Sequence, residues 1–328
     1  MGLWVFYLVR GESQTAYALG EQLLRAAQSV QAPALLLEAH YALGDTLFWL
    51  GELLPARAHL EQSLALYNPQ QHRALASLYG EDAGVFSLAY MSFLLWWLGS
   101  PQQAVQKSQE ALTLAQEVSH MYSLALAPFY AAGVHQLRRE GQAAQARAEE
   151  VLALTQAHGF PFWQMWGTIC WGWTVAEQGQ AEEGLAHMQQ GLAAYQAAGA
   201  QRGVTWQLGM LAEAYGRSGH PDEGLTVVAE ALATVHTTGE RAWEAELYRL
   251  KGELLLARSP EQHTEATACF QQALAIARRQ QAKSLELRAA MSLGRLWQRQ
   301  EKTEHARQLL TEVYTCNGEP SSDEERTR

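Results

Sequence analysis

Eleven histidines and three cysteines are the side chains in this 328-residue sequence that could ligate a metal or attack a substrate. Their spacing favours neither. No histidine stands in an H-E-x-x-H pair or beside a cysteine at ligand spacing. Cys170, Cys269 and Cys316 are far apart and odd in number, so they form neither a disulfide framework nor a CxxC pair. Such usage fits a reducing, cytoplasmic setting, and Cys170 reads as a buried small hydrophobe. His135 and His187 read as ordinary helix-borne histidines. Nothing matches the G-x-x-x-x-G-K-[ST] phosphate cradle, because Lys283-Ser284 lacks the preceding glycines. Neither catalysis, a cofactor nor a metal is expected.

The remaining chemistry is that of binding. Trp96, Trp97, Trp163, Trp166, Trp171, Trp173 and Trp206 crowd the middle of the chain, either as fillers of helix seams or as the lining of an aromatic groove. The chain carries a formal net charge of −10, which disfavours nucleic acid as a partner. From Arg278 to Arg307, however, eight Lys and Arg face three Glu, which makes either a solvated helix face or a docking patch for an acidic partner. The apolar stretch from Leu3 to Val9 is too short to span a membrane or serve as a signal peptide, and no membrane partner is expected.

These side chains need helices to hold them. Ala, Leu, Gln and Glu dominate, only 9 prolines occur, and β-branched runs are nearly missing. The segment Met165–Gly199 shows the unit. Trp166, Ile169, Cys170 and Trp173 form one helical stripe, Gln178-Gly179-Gln180 breaks it, and Leu185, Met188, Leu192 and Tyr195 form a second stripe that Gly199 closes. Trp171 and Val175 lie off the first stripe. The helix is therefore apolar on two faces and must be covered by neighbouring hairpins. A small residue opens the second helix of each pair: Ala16, Ala56, Ala104, Ala146, Gly184, Gly224, Ala266 and Ala306, at intervals of 40, 48, 42, 38, 40, 42 and 40. Turn glycines (Gly11, Gly51, Gly99, Gly141, Gly179, Gly219) precede most of them. The longest unit is expected to contain a long loop at Asn68–Asp82.

This pattern, seen in Leu43-Gly44…Gly51…Ala56 and in Leu293-Gly294…Trp297…Ala306, resembles the tetratricopeptide repeat. The usual repeat is about 34 residues, and here each helix is about a turn longer. Leu211–Leu225, Glu246–Leu256, Cys269–Arg299 and His158–Trp173 together look like the C-terminal region of bacterial multidomain predicted ATPases, often fused to class III adenylate or guanylate cyclase domains. Long repeats of this kind also occur in maltose-type transcription regulators. The resemblance implies a helical sensor arm detached from a nucleotide-binding module. It transfers no catalysis, since the sequence carries neither a P-loop nor strands for paired metal-binding carboxylates.

The expected fold is all-α: a right-handed tetratricopeptide-type solenoid of about eight hairpins with roughly 40-residue repeats, over 1–316, with the first and last repeats incomplete. A disordered polar tail is expected at 317–328. In such stacks the first helix of each pair faces the concave side. Transferring that offset puts Asp45, Phe93, His135, Trp173, Glu213, Glu253 and Arg295 on the concave ridge. Tyr41, Ile169 and Arg249 stand one turn before three of them. The expected function is protein or peptide binding and regulation. The alternative is a small-molecule sensor holding a sugar-like ligand against Trp166, Trp173 and Trp206. Leu3, Trp4, Phe6 and Leu8 are expected to expose apolar surface at the N-terminal end and to permit self-association there.

Overall fold

The computed structural model describes residues 1–318. Its regular elements are α1 (Gly2–Val9), α2 (Ser13–Val30), α3 (Pro33–Leu50), α4 (Leu53–Leu66), α5 (Pro69–Tyr79), α6 (Ala83–Trp97), α7 (Pro101–Val118), α8 (Met121–Leu137) and α9 (Gly141–His158). There follow α10 (Pro161–Glu177), α11 (Ala181–Ala197), α12 (Val204–Arg217), α13 (Pro221–Thr238), α14 (Glu244–Arg258), α15 (His263–Gln280), α16 (Lys283–Arg299) and α17 (Thr303–Gly318). With α5 set aside, they pair into eight antiparallel hairpins, and no strand occurs among the described residues. In the first hairpin α1 is only 8 residues long, and in the last α17 is 16 residues long. Of the polar tail expected at 317–328, the first two positions complete α17 and the rest lies outside the described residues.

One local device builds seven of the eight hairpin turns. A residue one or two positions past the first helix is left-handed, its N–H donates to the carbonyl three residues back, and the next N–H donates five back. Gly51 N to Phe48 O (2.9 Å) and Glu52 N to Leu47 O (2.9 Å) are one instance. Glycine occupies the left-handed position at 11, 51, 99, 179 and 219. At the other two turns Arg139 (φ 63°) and Glu301 (φ 61°) take it, at a cost of about 1 kcal/mol each. This corrects one repeat boundary. Ala146 is exposed, and the buried residue opening α9 is Ala144. The intervals then read 40, 48, 40, 40, 40, 42 and 40.

The 48-residue unit holds an extra helix where a loop was expected. Asn68 caps α5 by accepting from Gln70 N (3.0 Å) and Gln71 N (3.3 Å), and Pro69 stands at its first position. Within hairpins, small residues set the spacing. A Cβ on Gly172 would lie 2.8 Å from Gly184 O, so α10 and α11 touch backbone to backbone.

The superhelix closes on itself. The terminal carbonyls of first helices in the first coil, left without partners inside their own helices, accept from the second coil. Val9 O takes Gln201 N (2.8 Å), Trp49 O takes Arg241 N (2.8 Å), Trp96 O takes Ser284 Oγ (2.5 Å) and Leu137 O takes Arg288 Nη2 (3.1 Å). The first hairpin therefore meets the sixth, and the second meets the seventh. The axis between them is packed with rings: Trp97 lies 5.3 Å from Trp243, Phe93 5.2 Å from Trp206, and Trp166 5.3 Å from Trp206.

A polar network crosses this interior. Asp45 accepts from Arg202 through both oxygens (2.9 and 2.8 Å), and Glu240 accepts from Gly203 N (2.9 and 3.0 Å). Burial pushes these two carboxyls up, Asp45 to about 6 and Glu240 to about 8, although Arg202 opposes it in both. At the N-terminal end Trp4 and Leu8 are buried, with Trp4 Nε1 donating to Thr46 Oγ1 (2.9 Å). Only Leu3 (67% exposed) and Phe6 (52%) carry the expected apolar surface.

Candidate functional site

The aromatic ridge of the first helices is filled, and a recess opens between α8 and α16. There a cavity of about 550 Å³ is lined by Leu137, Arg139, Glu177, Glu213, Arg217, Arg249, Arg288, Met291, Ser292 and Arg295. A smaller hollow of about 300 Å³ adjoins it, sharing Glu213, Arg217, Arg249 and Arg295 and adding Glu253. Five consecutive first helices, or the turn following one of them, supply the lining. Arg139 comes from the turn after α8, Glu177 from the end of α10, Glu213 and Arg217 from α12, Arg249 from α14, and Arg288, Met291 and Arg295 from α16.

Ion pairs fix the floor. Buried Glu246 accepts from Arg249 (2.9 and 2.7 Å) and from Arg288 (3.0 Å). Burial alone would raise its carboxyl, but the two guanidinium groups outweigh that and hold it at about 2. Glu213 is only partly buried; desolvation would raise its carboxyl, but Arg139, then Arg249 and Arg288, keep it below the ordinary carboxylate range. Arg139 grips Glu213 with both terminal nitrogens, Nη1 at 2.9 Å from Oε2 and Nη2 on Oε1. The guanidinium lies 6.0 Å from the ring centre of Trp173 beneath it. Arg217 pairs with Glu177, whose carboxyl burial nonetheless raises.

Positive charge exceeds negative in this cavity. Five arginines line it against Glu177 and Glu213, with Glu246 in the floor and Glu253 in the adjoining hollow, which leaves an excess of one positive charge. Burial outweighs the attraction of Glu246 and lowers the Arg288 pKa, although Arg288 pairs with Glu246 and donates to Leu137 O. Arg295 is exposed and makes no ion pair among the described residues. A cationic recess in a chain of net charge −10 draws and orients anionic groups.

The structure brings four of the sequence-predicted surface residues together here: Glu213, Arg249, Glu253 and Arg295. Others go elsewhere. Tyr41, Asp45, Phe93, Trp166, Ile169, Trp173 and Trp206 are buried inside the closed superhelix, because the ridge that would face solvent in an open stack meets the second coil. The aromatic groove expected for a sugar-like ligand is thus a filled core. The space between Trp166, Trp206, Trp163 and Trp49 is about 10 Å³, room for one water at most and far too little for a sugar. His135 lies at the edge of the α8–α9 turn, its Nδ1 2.7 Å from Glu140 Oε2, outside the cavity lining. Burial alone pushes the Cys170 thiol up to about 12, which leaves it inert near neutral pH.

Arg139 and Arg217 escaped the sequence reading. The signal for Arg139 is present: it stands five residues before Ala144, at the turn position that is glycine in five other hairpins. Arg288 belongs to the basic stretch Arg278–Arg307, but nothing within that stretch singles it out, since its role depends on which coil lies opposite.

Stacked hairpins wound into a right-handed superhelix, closed by one repeated turn, define a tetratricopeptide-type α-solenoid. Solved structures agree. A Rap protein complexed with competence and sporulation factor is similar over 96% of this chain and 97% of its own, with a TM-score of 0.65 and 13% identity. The apo form of RapI matches over 85% of this chain and 96% of its own, with a TM-score of 0.53 and 12% identity. Aspartyl phosphate phosphatase F from Bacillus subtilis matches over 92% and 77%, with a TM-score of 0.54 and 12% identity. At these identities the likeness is one of fold. No protein-family model and no curated protein matches the sequence. Among the described residues no helix is long and apolar enough to cross a membrane.

Proposed function

We propose that this chain is a non-catalytic binding and regulatory module that receives an acidic segment of a protein partner in the cavity between α8 and α16. The observation that carries the reading is the cavity itself, lined by five arginines, of which Arg295 makes no ion pair among the described residues. Met291, 40% exposed, and the end of α8 add apolar contact beside the charges. Its size and mixed lining suit one or two side chains of an extended segment. A Rap protein of the same fold has been solved with competence and sporulation factor bound, which supports reading such a superhelix as a receptor. The sequence resemblance extends the proposal to a larger assembly. There the module would be the sensor arm of a bacterial ATPase or nucleotide cyclase, acting in the cytoplasm.

Panning a random peptide library against the wild-type chain and against Arg295→Glu tests this. Enrichment of acidic sequences that bind wild type and not the variant is the expected result. Peptides that bind both equally would place recognition outside the cavity.

A further inference from the structure

We propose that Arg139 is the anion anchor of this cavity, and that the group it takes is a side-chain carboxylate of the acidic segment, which replaces Glu213 on the guanidinium. The inference rests on the reading of the cavity as the recognition site and goes further, to one residue and one exchange. Three observations carry it.

The first is backbone conformation. The hairpin turn requires a left-handed residue, glycine serves at five of the seven turns of this type, and arginine is retained at 139 with φ 63°. Of the non-glycine residues with positive φ, which also include Gln31, Ser119, Gln281 and Glu301, only Arg139 lines this cavity.

The second is geometry. Arg139 and Glu213 are 74 residues apart and belong to hairpins four and six, yet meet fork to fork across the cavity wall. A planar guanidinium, here 6.0 Å above the ring centre of Trp173, presents its nitrogen edge to a carboxylate. Glu213 therefore occupies the position an incoming carboxylate would take.

The third is what the exchange leaves behind. Arg249 and Arg288 also hold Glu213 ionised, so a displaced Glu213 keeps cationic neighbours. Arg139 is the more accessible partner, its side chain 35% exposed against 14% for Glu213. The exchange is carboxylate for carboxylate and changes neither proton count nor net charge of the wall.

Fluorescence anisotropy with a short fluorescein-labelled oligoglutamate peptide tests the proposal on the full chain, with thermal melting of every variant. Arg139→Gly is expected to weaken binding tenfold or more while its melting temperature stays level or rises, since glycine suits this turn. Glu213→Gln, which removes the internal competitor, is expected to tighten binding at least threefold. Arg139→Gly binding as wild type does, with Arg295→Glu still impaired, would overturn the anchor and leave the cavity reading standing. Loss of binding in Glu213→Gln equal to that in Arg139→Gly would make the pair structural and overturn the exchange. Wild type failing to bind oligoglutamate would overturn the carboxylate assignment, and the panned peptides would then decide the cavity reading separately.

Discussion

Replacing Glu38 by glutamine should stabilise the protein at alkaline pH and leave it unchanged at acid pH. Glu38 sits on α3, 1% exposed, with neither carboxyl oxygen hydrogen-bonded. Burial, then the charges of Glu81 and Asp82, push its pKa from 4.5 to about 8, against a small pull from the Met1 amino group. For an acid whose folded pKa is raised, the stabilising contribution is fully present below the unfolded value and is lost as pH rises toward the folded one. At about 1.4 kcal/mol per pH unit, that interval caps the loss at about 5 kcal/mol. Relaxation and water entry around a real buried carboxylate reduce it to about 2–3 kcal/mol. Glu81, raised to about 7, and Glu240, raised to about 8, act in the same direction. Wild type should therefore lose stability between pH 5 and pH 8. Glu38→Gln should lose about 2–3 kcal/mol less. Urea midpoints from circular dichroism at both pH values measure this. Identical pH slopes for wild type and variant, or a variant less stable at pH 8, would refute the reasoning.

Other perturbations probe the same framework. Arg202→Met strands the buried Asp45 carboxylate between the two coils and should cost about 3–5 kcal/mol at pH 8. Asp45→Asn beside it should recover most of that loss, and a single variant within about 1 kcal/mol of wild type in urea unfolding would argue against an inter-coil lock. Gly172→Val drives a side chain into Gly184 O, 2.8 Å from where its Cβ must lie. Since backbone cannot yield as a side chain would, it should lower the melting temperature sharply, whereas Gly179→Ala, in open space, should show only the milder cost of its positive φ. Sedimentation velocity checks the exposed end. Leu3 and Phe6 should support weak self-association at high concentration, and the paired substitutions Leu3→Glu and Phe6→Glu should abolish it. A strictly monomeric wild type would remove that expectation.

The hairpins were legible because they are encoded locally. Helical stripes such as Trp166, Ile169, Cys170 and Trp173, with a turn glycine after them, specify helix, turn and helix within forty residues. The errors share a cause. Arg139 in a glycine position disguised one turn, so Ala146 was taken for Ala144. Asn68-Pro69 carries a helix-start signal, cap followed by proline, which the expectation of a long loop at Asn68–Asp82 passes over. The larger miss was the concave face. How tightly a solenoid winds is the sum of small rotations between neighbours, and no single segment records it. Trp166, Trp173 and Trp206 look the same in sequence whether they line a groove or fill an axis. Once Val9, Trp49 and Trp96 are seen to bond the second coil, the same ridge positions divide into buried core and the open cluster at Glu213, Arg249, Glu253 and Arg295.

The central claim is that recognition takes place inside the arginine-lined cavity, and cross-linking from within it is the most direct test. A photo-reactive phenylalanine analogue would be placed at Met291 in the cavity and, as a control, at Gln142 on the exposed face of α9. An acidic peptide selected by panning should cross-link from position 291, lose that product in the Arg295→Glu background, and give none from position 142. Cross-linking from 142, or a product at 291 indifferent to Arg295→Glu, would contradict the account.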